Sequence, residues 1–325
     1  MTASAPASAV ASAAASAVAL DRPVVIFGAS GQDGHYLAAL HRARGDRVLG
    51  FSVPAAPGVS ALDVADRAAV TEVVRANRPA VIYQLAAAST TRHDAVWATH
   101  DSITTGTLAV LEAAFAHCPD ARVVTIGSGL QFENRGQPIR ETDPFAATSP
   151  YAVARIHSAY AARYYRSRGL RAYVAYLFHH ESPLRPLPHL SARICHDVAA
   201  IARGHTPGGV LEVGDLSVEK EWGFAGDVAE ALATLAAQDG AFEAVVGTGQ
   251  AYSVATWVER CFAHVGLSSQ GRVRGIPGFK AEYPRIVSAP DTLRGLGWAP
   301  RVDLDALVAM MMATALEVSE PVSEP

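Results

Sequence analysis

The sequence predicts a doubly wound parallel α/β sheet joined to a smaller mixed α/β lobe in its C-terminal part. Three observations predict it. Short apolar runs alternate with helical patterns from Arg22 to Phe178, at a spacing that implies crossover connections. A glycine-rich turn follows the first apolar run. Beyond residue 178 the pattern loosens, with prolines at 183, 186 and 188 and glycines at 204, 208 and 209.

The elements follow in order. PVVIFG (23–28) reads as a buried strand, and HYLAALHRARG (35–45) as a helix with Leu37, Leu40 and Ala43 on one face and Gly45 as its stop. RVLGFSV (47–53) is the second strand, Arg67–Asn77 a helix and PAVIYQLAA (79–87) a strand. Trp97–Ala116 reads as one long helix, ARVVTIG (121–127) as a strand, Tyr151–Arg168 as a helix ending at Gly169, and RAYVAYLF (171–178) as a strand. A helix is expected over 191–203. Asp227–Gln238 and Ala244–Val246 are expected to return to the main sheet. The MMM run at 310–312 lies in an apolar helix and reads as packing, and the end EVSEPVSEP as a frayed acidic tail.

Composition sets limits. Half of the 325 residues are hydrophobic and 18% are charged, enough for a sizeable core. A net charge of −4 argues against a nucleic-acid binder or a polybasic membrane protein. Three cysteines without a CxxC pair fit a reducing cytoplasm and exclude a disulfide scaffold or a cysteine-rich zinc site. The histidines, His179-His180 included, show no HxxxH spacing with a carboxylate, so no metal site is expected. Residues 1–20 form an Ala/Ser tract without Lys or Arg, read as a flexible tail rather than a signal peptide. No apolar run is long enough to span a membrane.

The loop GASGQDG (28–34) stands between a strand and a helix. A dinucleotide pyrophosphate needs a tight turn, close backbone approach and a helix N-terminus, and this loop supplies all three. An acid after the second strand would hold ribose hydroxyls and an arginine a 2′-phosphate; Gly50-Phe51-Ser52-Val53-Pro54 offers neither. Asp63 is placed to accept from an adenine amino group, or alternatively caps a helix. The domain assignment is therefore 21–178 plus about 226–250 for the dinucleotide, with 179–225 plus 251–325 as the substrate lobe.

The segment SPYAVAR (149–155) puts Tyr151 and Arg155 on one helix face. Here the chain resembles the extended short-chain dehydrogenase/reductases with their Rossmann fold, and within them the GDP-mannose 4,6-dehydratase family. The matching stretches are GASGQDGHYLA (28–38), ETDPFAATSPYAVAR (141–155), LFHHESPLRP (177–186), VGDLSVEKEWGFAGDVAEAL (213–232), GTGQAYSVATWVE (247–259) and LGWAP (296–300). The resemblance implies a tightly bound, recycled NAD or NADP and a nucleotide-sugar substrate, with a GDP-sugar favoured. It also implies a homodimer or tetramer formed through the helices at 97–116 and 151–168. It places the dinucleotide on Gly28, Ser30, Gly31, Gln32, Asp33, Gly34, Asp63, Val64, Leu85, Ala86, Ala87, Tyr151, Arg155 and His180. His179, Glu181, Arg193 and Lys220 are assigned to the substrate, with Ser182 beside the nicotinamide or sugar. Trp222 reads as core packing or a base-stacking platform.

The departures from the family direct the functional reading. The family's Tyr-xxx-Lys becomes Tyr151 and Arg155, and its Thr-Ser-Glu becomes Gly127, Ser128 and Gly129. The Thr polarises a sugar hydroxyl and the Glu assists loss of water. Ser128 or Thr125 could replace the hydroxyl, whereas the nearest acid is Glu133. The family's Arg-Arg after the second strand is Val53-Pro54. With the tyrosine kept and the elimination base gone, the favoured activity is C4 epimerisation through a transient 4-keto sugar. The alternatives are a dehydratase with a displaced acid such as Glu133, or a non-catalytic nucleotide-sugar binder.

Overall fold

A computed structural model gives the fold and describes residues 21–88 and 90–317. The expected Ala/Ser tail and residues 318–325 of the acidic end lie outside the described residues. Seven strands form the main sheet. They are β1 (Val24–Phe27), β2 (Val48–Ser52), β3 (Ser60–Ala61), β4 (Val81–Gln84), β5 (Arg122–Ser128), β6 (Arg171–Leu177) and β7 (Glu243–Val246). Their spatial order is β7-β6-β5-β4-β1-β2-β3. β1 runs parallel to both neighbours, with Val24 opposite Val48 and Val81, and β4 continues parallel to β5. All four β1 residues are buried, as both faces of such a strand are covered. The strand order reverses beside β1, and a doubly wound sheet opens its ligand crevice there, beyond the carboxyl ends of the strands.

The helices are α1 (Gln32–Ala43), α2 (Arg67–Asn77), α3 (Gly106–His117), α4 (Pro150–Ser167), α5 (Leu190–Ala202), α6 (Ala225–Ala236), α7 (Val254–His264) and α8 (Leu304–Glu317). Local chemistry sets their starts. The Asp66 carboxylate accepts from the Ala68 and Ala69 amides at the head of α2. Ser149 caps α4, with Pro150 in the first turn where its missing N–H costs nothing. α1 begins three residues earlier than its apolar pattern suggests, because Gly31 already holds the extended cap conformation.

The single long helix expected over 97–116 is not formed. A short helix Val96–Thr99 passes through a π-helical turn, His100–Thr105, before α3. The wider turn turns Ser102 toward the end of β4. Its carbonyl accepts from Gln84 Nε2 at 3.1 Å, and its hydroxyl accepts from the Ala88 amide at 2.9 Å. Backbone and side-chain groups that a regular helix would keep to itself thus serve the loop after β4.

The chain divides into two compact units. The first comprises residues as far as Phe132, with Pro144–Tyr176 and Ala229–Ala244. The second comprises Glu133–Asp143, Leu177–Val228 and the chain from Val245 on. In the second unit α5, α7 and α8 close a core around Ile194, Val198, Phe262, Leu307 and Met312. Trp222 is buried there and stacks on Trp257 at 4.4 Å, so it is core packing. No helix of the described residues is long and apolar enough to cross a membrane.

Candidate active site

A cavity of about 400 Å³ lies in the first unit at the carboxyl ends of β1, β2 and β4. Its floor is the turn after β1. Gly28 adopts φ +89°, and a Cβ there would stand 2.6 Å from the Ala86 amide nitrogen. Only glycine combines that backbone with that approach. The turn is fixed by the Gly28 and Ala29 amides, which both donate to Phe51 O. The Ser30 amide donates to Ser52 Oγ at 3.0 Å.

Of the residues assigned to the dinucleotide from sequence, Gly28, Ser30, Gly31, Asp63, Val64, Leu85, Ala86 and Ala87 line this cavity. Gln32, Asp33 and Gly34 form the first turn of α1 instead, where Gly34 packs against Gly28 O and leaves no space for a Cβ. Asp63 does not cap a helix; its Oδ1 accepts from the Ala65 amide at 2.9 Å, and Asp66 is the cap. Ser52, Val53 and Ser102 also line the cavity and were missed. Ser52 lay within the second strand expected over 47–53, which the structure ends at Ser52, whereas Ser102 depended on the π-helical turn. A glycine cradle, a helix N-terminus and a crevice of this size fit a dinucleotide.

Tyr151 and Arg155 lie one turn apart on α4. Arg155 is 4% exposed and donates from Nη1 to Ile126 O at 2.8 Å. Its Cζ stands 5.0 Å from the centre of the Tyr151 ring. Among the described residues nothing pairs with the buried Arg155 Nε. Ser128 is buried and caps the short turn Gly129–Gln131, its Oγ accepting from the Leu130 amide at 3.2 Å. Thr125 is no substitute hydroxyl: it is fully buried and donates to Tyr173 O at 3.0 Å, within the sheet.

The place of a side chain at position 127 is already filled. A Cβ on Gly127 would fall inside the Tyr176 ring's contact surface and 2.8 Å from Gln131 Oε1. Gly129 is buried in the short turn. Glu133 is bound to Arg135 at 2.9 Å in an exposed ion pair.

The second unit holds a charged cluster. The His179 ring lies between two acceptors, Glu221 O and Glu181 Oε1, each at 2.9 Å. Burial and the nearby Lys220 ammonium push His179 down to about 4, so the neutral ring serves one acceptor at a time. Arg185 donates to the other Glu181 oxygen at 2.5 Å, and the His179 contact together with the Arg185 guanidinium holds the Glu181 carboxyl well below its ordinary range despite burial. Lys220 is 8% exposed with Nζ 4.8 Å from the Trp222 ring centre, and burial brings it down to about 8. His180 keeps Nδ1 on Phe178 O at 2.7 Å, and the buried Ser182 accepts from the Leu184 amide.

Among the described residues Arg193 makes no hydrogen bond or ion pair with this cluster. It donates to Glu212 O at 3.2 Å and faces Asp197 along α5. Arg185 joins it instead, and the PLRP segment gave no signal of that. Glu221 was also missed: its buried carboxylate accepts from the Thr248 and Gly249 amides, at 2.5 and 3.3 Å, and from the Ser288 amide. Burial raises its pKa against those amides. Among the described residues no group of three His, Cys, Asp or Glu side chains could hold a metal ion.

Tyr151, Arg155 and His180, also assigned to the dinucleotide from sequence, are not among the residues that line the cavity. A crevice over a glycine turn at the strand-order reversal, in a chain that also carries a tyrosine with a cation one turn on, defines an extended short-chain dehydrogenase/reductase. Solved structures agree on the fold. UDP-glucose 4-epimerase from Thermus thermophilus, in complex with NAD, superposes with a TM-score of 0.78 at 22% identity, covering 91% of this chain and 100% of that one. RMD from Pseudomonas aeruginosa, in complex with NADPH, gives 0.79 at 20% identity, covering 92% and 99%. In sequence, GDP-mannose 4,6 dehydratase 1 of Arabidopsis thaliana is 30% identical, covering 79% of this chain and 74% of its own length. The human GDP-mannose 4,6 dehydratase is 28% identical, covering 90% and 91%. The GDP-mannose 4,6 dehydratase family model matches residues 25–311, and the chain belongs to that family of nucleotide-sugar epimerase/dehydratase enzymes.

Proposed function

We propose that the protein is a GDP-sugar C4 epimerase that oxidises its substrate transiently to a 4-keto sugar. The observation that carries this reading is the pair of buried glycines at the end of β5, Gly127 and Gly129, together with the intact Tyr151 and Arg155. A tyrosine for proton transfer is present, while the carboxylate needed to expel water is absent at position 129, and Glu133 faces solvent in an ion pair with Arg135. The bound nicotinamide supplies hydride acceptance and return. Tyr151 takes the proton from the C4 hydroxyl and gives it back. Arg155 keeps a permanent positive charge against the ring that carries the developing negative charge. Ser128, the hydroxyl at the end of β5, orients the sugar. Lys220, with Arg185 and His179, takes the diphosphate in the second unit, which serves as the substrate lobe. A ketone turned over between the two hydride transfers exchanges C4 configuration without losing water.

The relatives' names favour the second reading, 4,6-dehydration. Incubation with GDP-mannose and longer GDP-sugars in deuterated water separates the two. Changed C4 configuration without loss of water supports the epimerase. A 4-keto-6-deoxy product carrying deuterium at C5 overturns it in favour of dehydration, and no turnover with any sugar overturns both. The same reading includes a homodimer through α3 and α4. Trp97, Val153, Tyr160 and Tyr164 stand 75%, 52%, 58% and 54% exposed on these helices and the segment leading into α3, an apolar surface suited to a second copy.

A further inference from the structure

The charge around the cavity at the ends of β1, β2 and β4 distinguishes between two forms of the cofactor. NADP differs from NAD by a 2′-phosphate on the adenosine ribose. In doubly wound folds that ribose meets the residues following the second strand. A phosphate carries about −1.5 to −2 charges at pH 7 and is recognised by an arginine fork or a lysine. This rim has no such group. From Phe51 to Asp66 the chain contains no Lys, Arg or His, and it contains two carboxylates, Asp63 and Asp66. The loop at 28–34 and the segment at 85–88 contain no basic residue either. Among the described residues that line the cavity the one charge is Asp63, and it is negative. Ser52, at the end of β2, is a neutral hydroxyl already held near the phosphate loop by the Ser30 amide. The next residue, Val53, is apolar and 68% exposed.

We infer that this chain selects NAD over NADP, with Ser52 and Val53 as the discriminating positions and Asp63 repelling a 2′-phosphate. The inference rests on the dinucleotide reading of the cavity and goes beyond it. A ribose with two free hydroxyls loses water to neutral donors and acceptors. A 2′-phosphate would surrender its hydration to a rim with no cation and one carboxylate.

The test is nucleotide binding, measured without sugar. The protein is stripped of nucleotide and titrated with NADH and with NADPH by nicotinamide fluorescence. Nucleotide released from freshly purified protein by denaturation is identified by mass spectrometry. NADH binding at least about tenfold tighter than NADPH, with NAD or NADH as the released species, supports the inference. Val53→Arg, a change at an exposed position, should strengthen NADPH binding in particular and make it more salt-dependent. Equal or tighter NADPH binding by the unchanged protein overturns the inference and leaves the enzyme reading intact. Binding of neither dinucleotide removes both.

Discussion

Returning the family's threonine to position 127 should destabilise this protein rather than restore a catalytic hydroxyl. The Tyr176 ring fills the space that the new side chain requires. It is fully buried, packs on Phe132 at 4.9 Å, donates to Glu243 Oε2 at 2.6 Å, and receives Arg163 Nη2 at 3.4 Å. Overpacking of a filled interior costs about 1–3 kcal/mol. Moving the ring aside also forfeits a hydrogen bond to a charged partner, about 1.5–3 kcal/mol. Gly127→Thr should therefore lose about 3–5 kcal/mol. At roughly 2–4 °C per kcal/mol for chains of this order, melting should fall by about 6–20 °C. Tyr176→Leu alone also destabilises, by removing the Glu243 partner. In the double variant the threonine finds space, so the two losses should fall short of additivity by more than about 1 kcal/mol. Thermal and denaturant unfolding of the four proteins measures this cycle. A Gly127→Thr protein within about 0.5 kcal/mol of the parent would show that the slot is open and would refute the packing argument.

Tyr151→Phe should abolish turnover while changing dinucleotide affinity less than about threefold; unchanged turnover would remove the phenol from the mechanism. Gly28→Ala should cost about 1–2 kcal/mol from the positive φ alone, more from the Ala86 contact, and weaken dinucleotide binding, read by unfolding and fluorescence titration. Lys220 titrates near 8, so affinity for a nucleoside diphosphate should fall as pH rises through that value. Lys220→Met should weaken binding by about 1.5–3 kcal/mol and flatten the dependence. The same depressed value means that the unfolded chain binds the extra proton between 8 and 10.5, so Lys220 makes folding stability rise with pH across that window. Unfolding of the parent and Lys220→Met proteins from pH 8 to 10.5 checks the sign, and equal slopes would contradict the burial of this amine.

The order of sheet elements and the dinucleotide loop were determined by the sequence alone, because both are local. Four consecutive buried residues from Val24 need no distant partner to read as a central strand, and GASGQDG carries its turn geometry in its own glycines. The Tyr151–Arg155 pairing follows from helix periodicity, and the absence of a carboxylate at 129 follows from residue identity. What the sequence could not determine depends on which distant side chains share a volume. Tyr176 is 49 residues from Gly127 in the chain and still occupies its side-chain space. Arg185 rather than Arg193 binds Glu181, because α5 points Arg193 at Glu212 and Asp197. The π-helical turn at 100–105 depends on Gln84 reaching Ser102, and Glu221 on amides that arrive from Thr248, Gly249 and Ser288. Periodicity records which face of an element is apolar. It does not record what a buried polar group will meet there, and tertiary packing decided that.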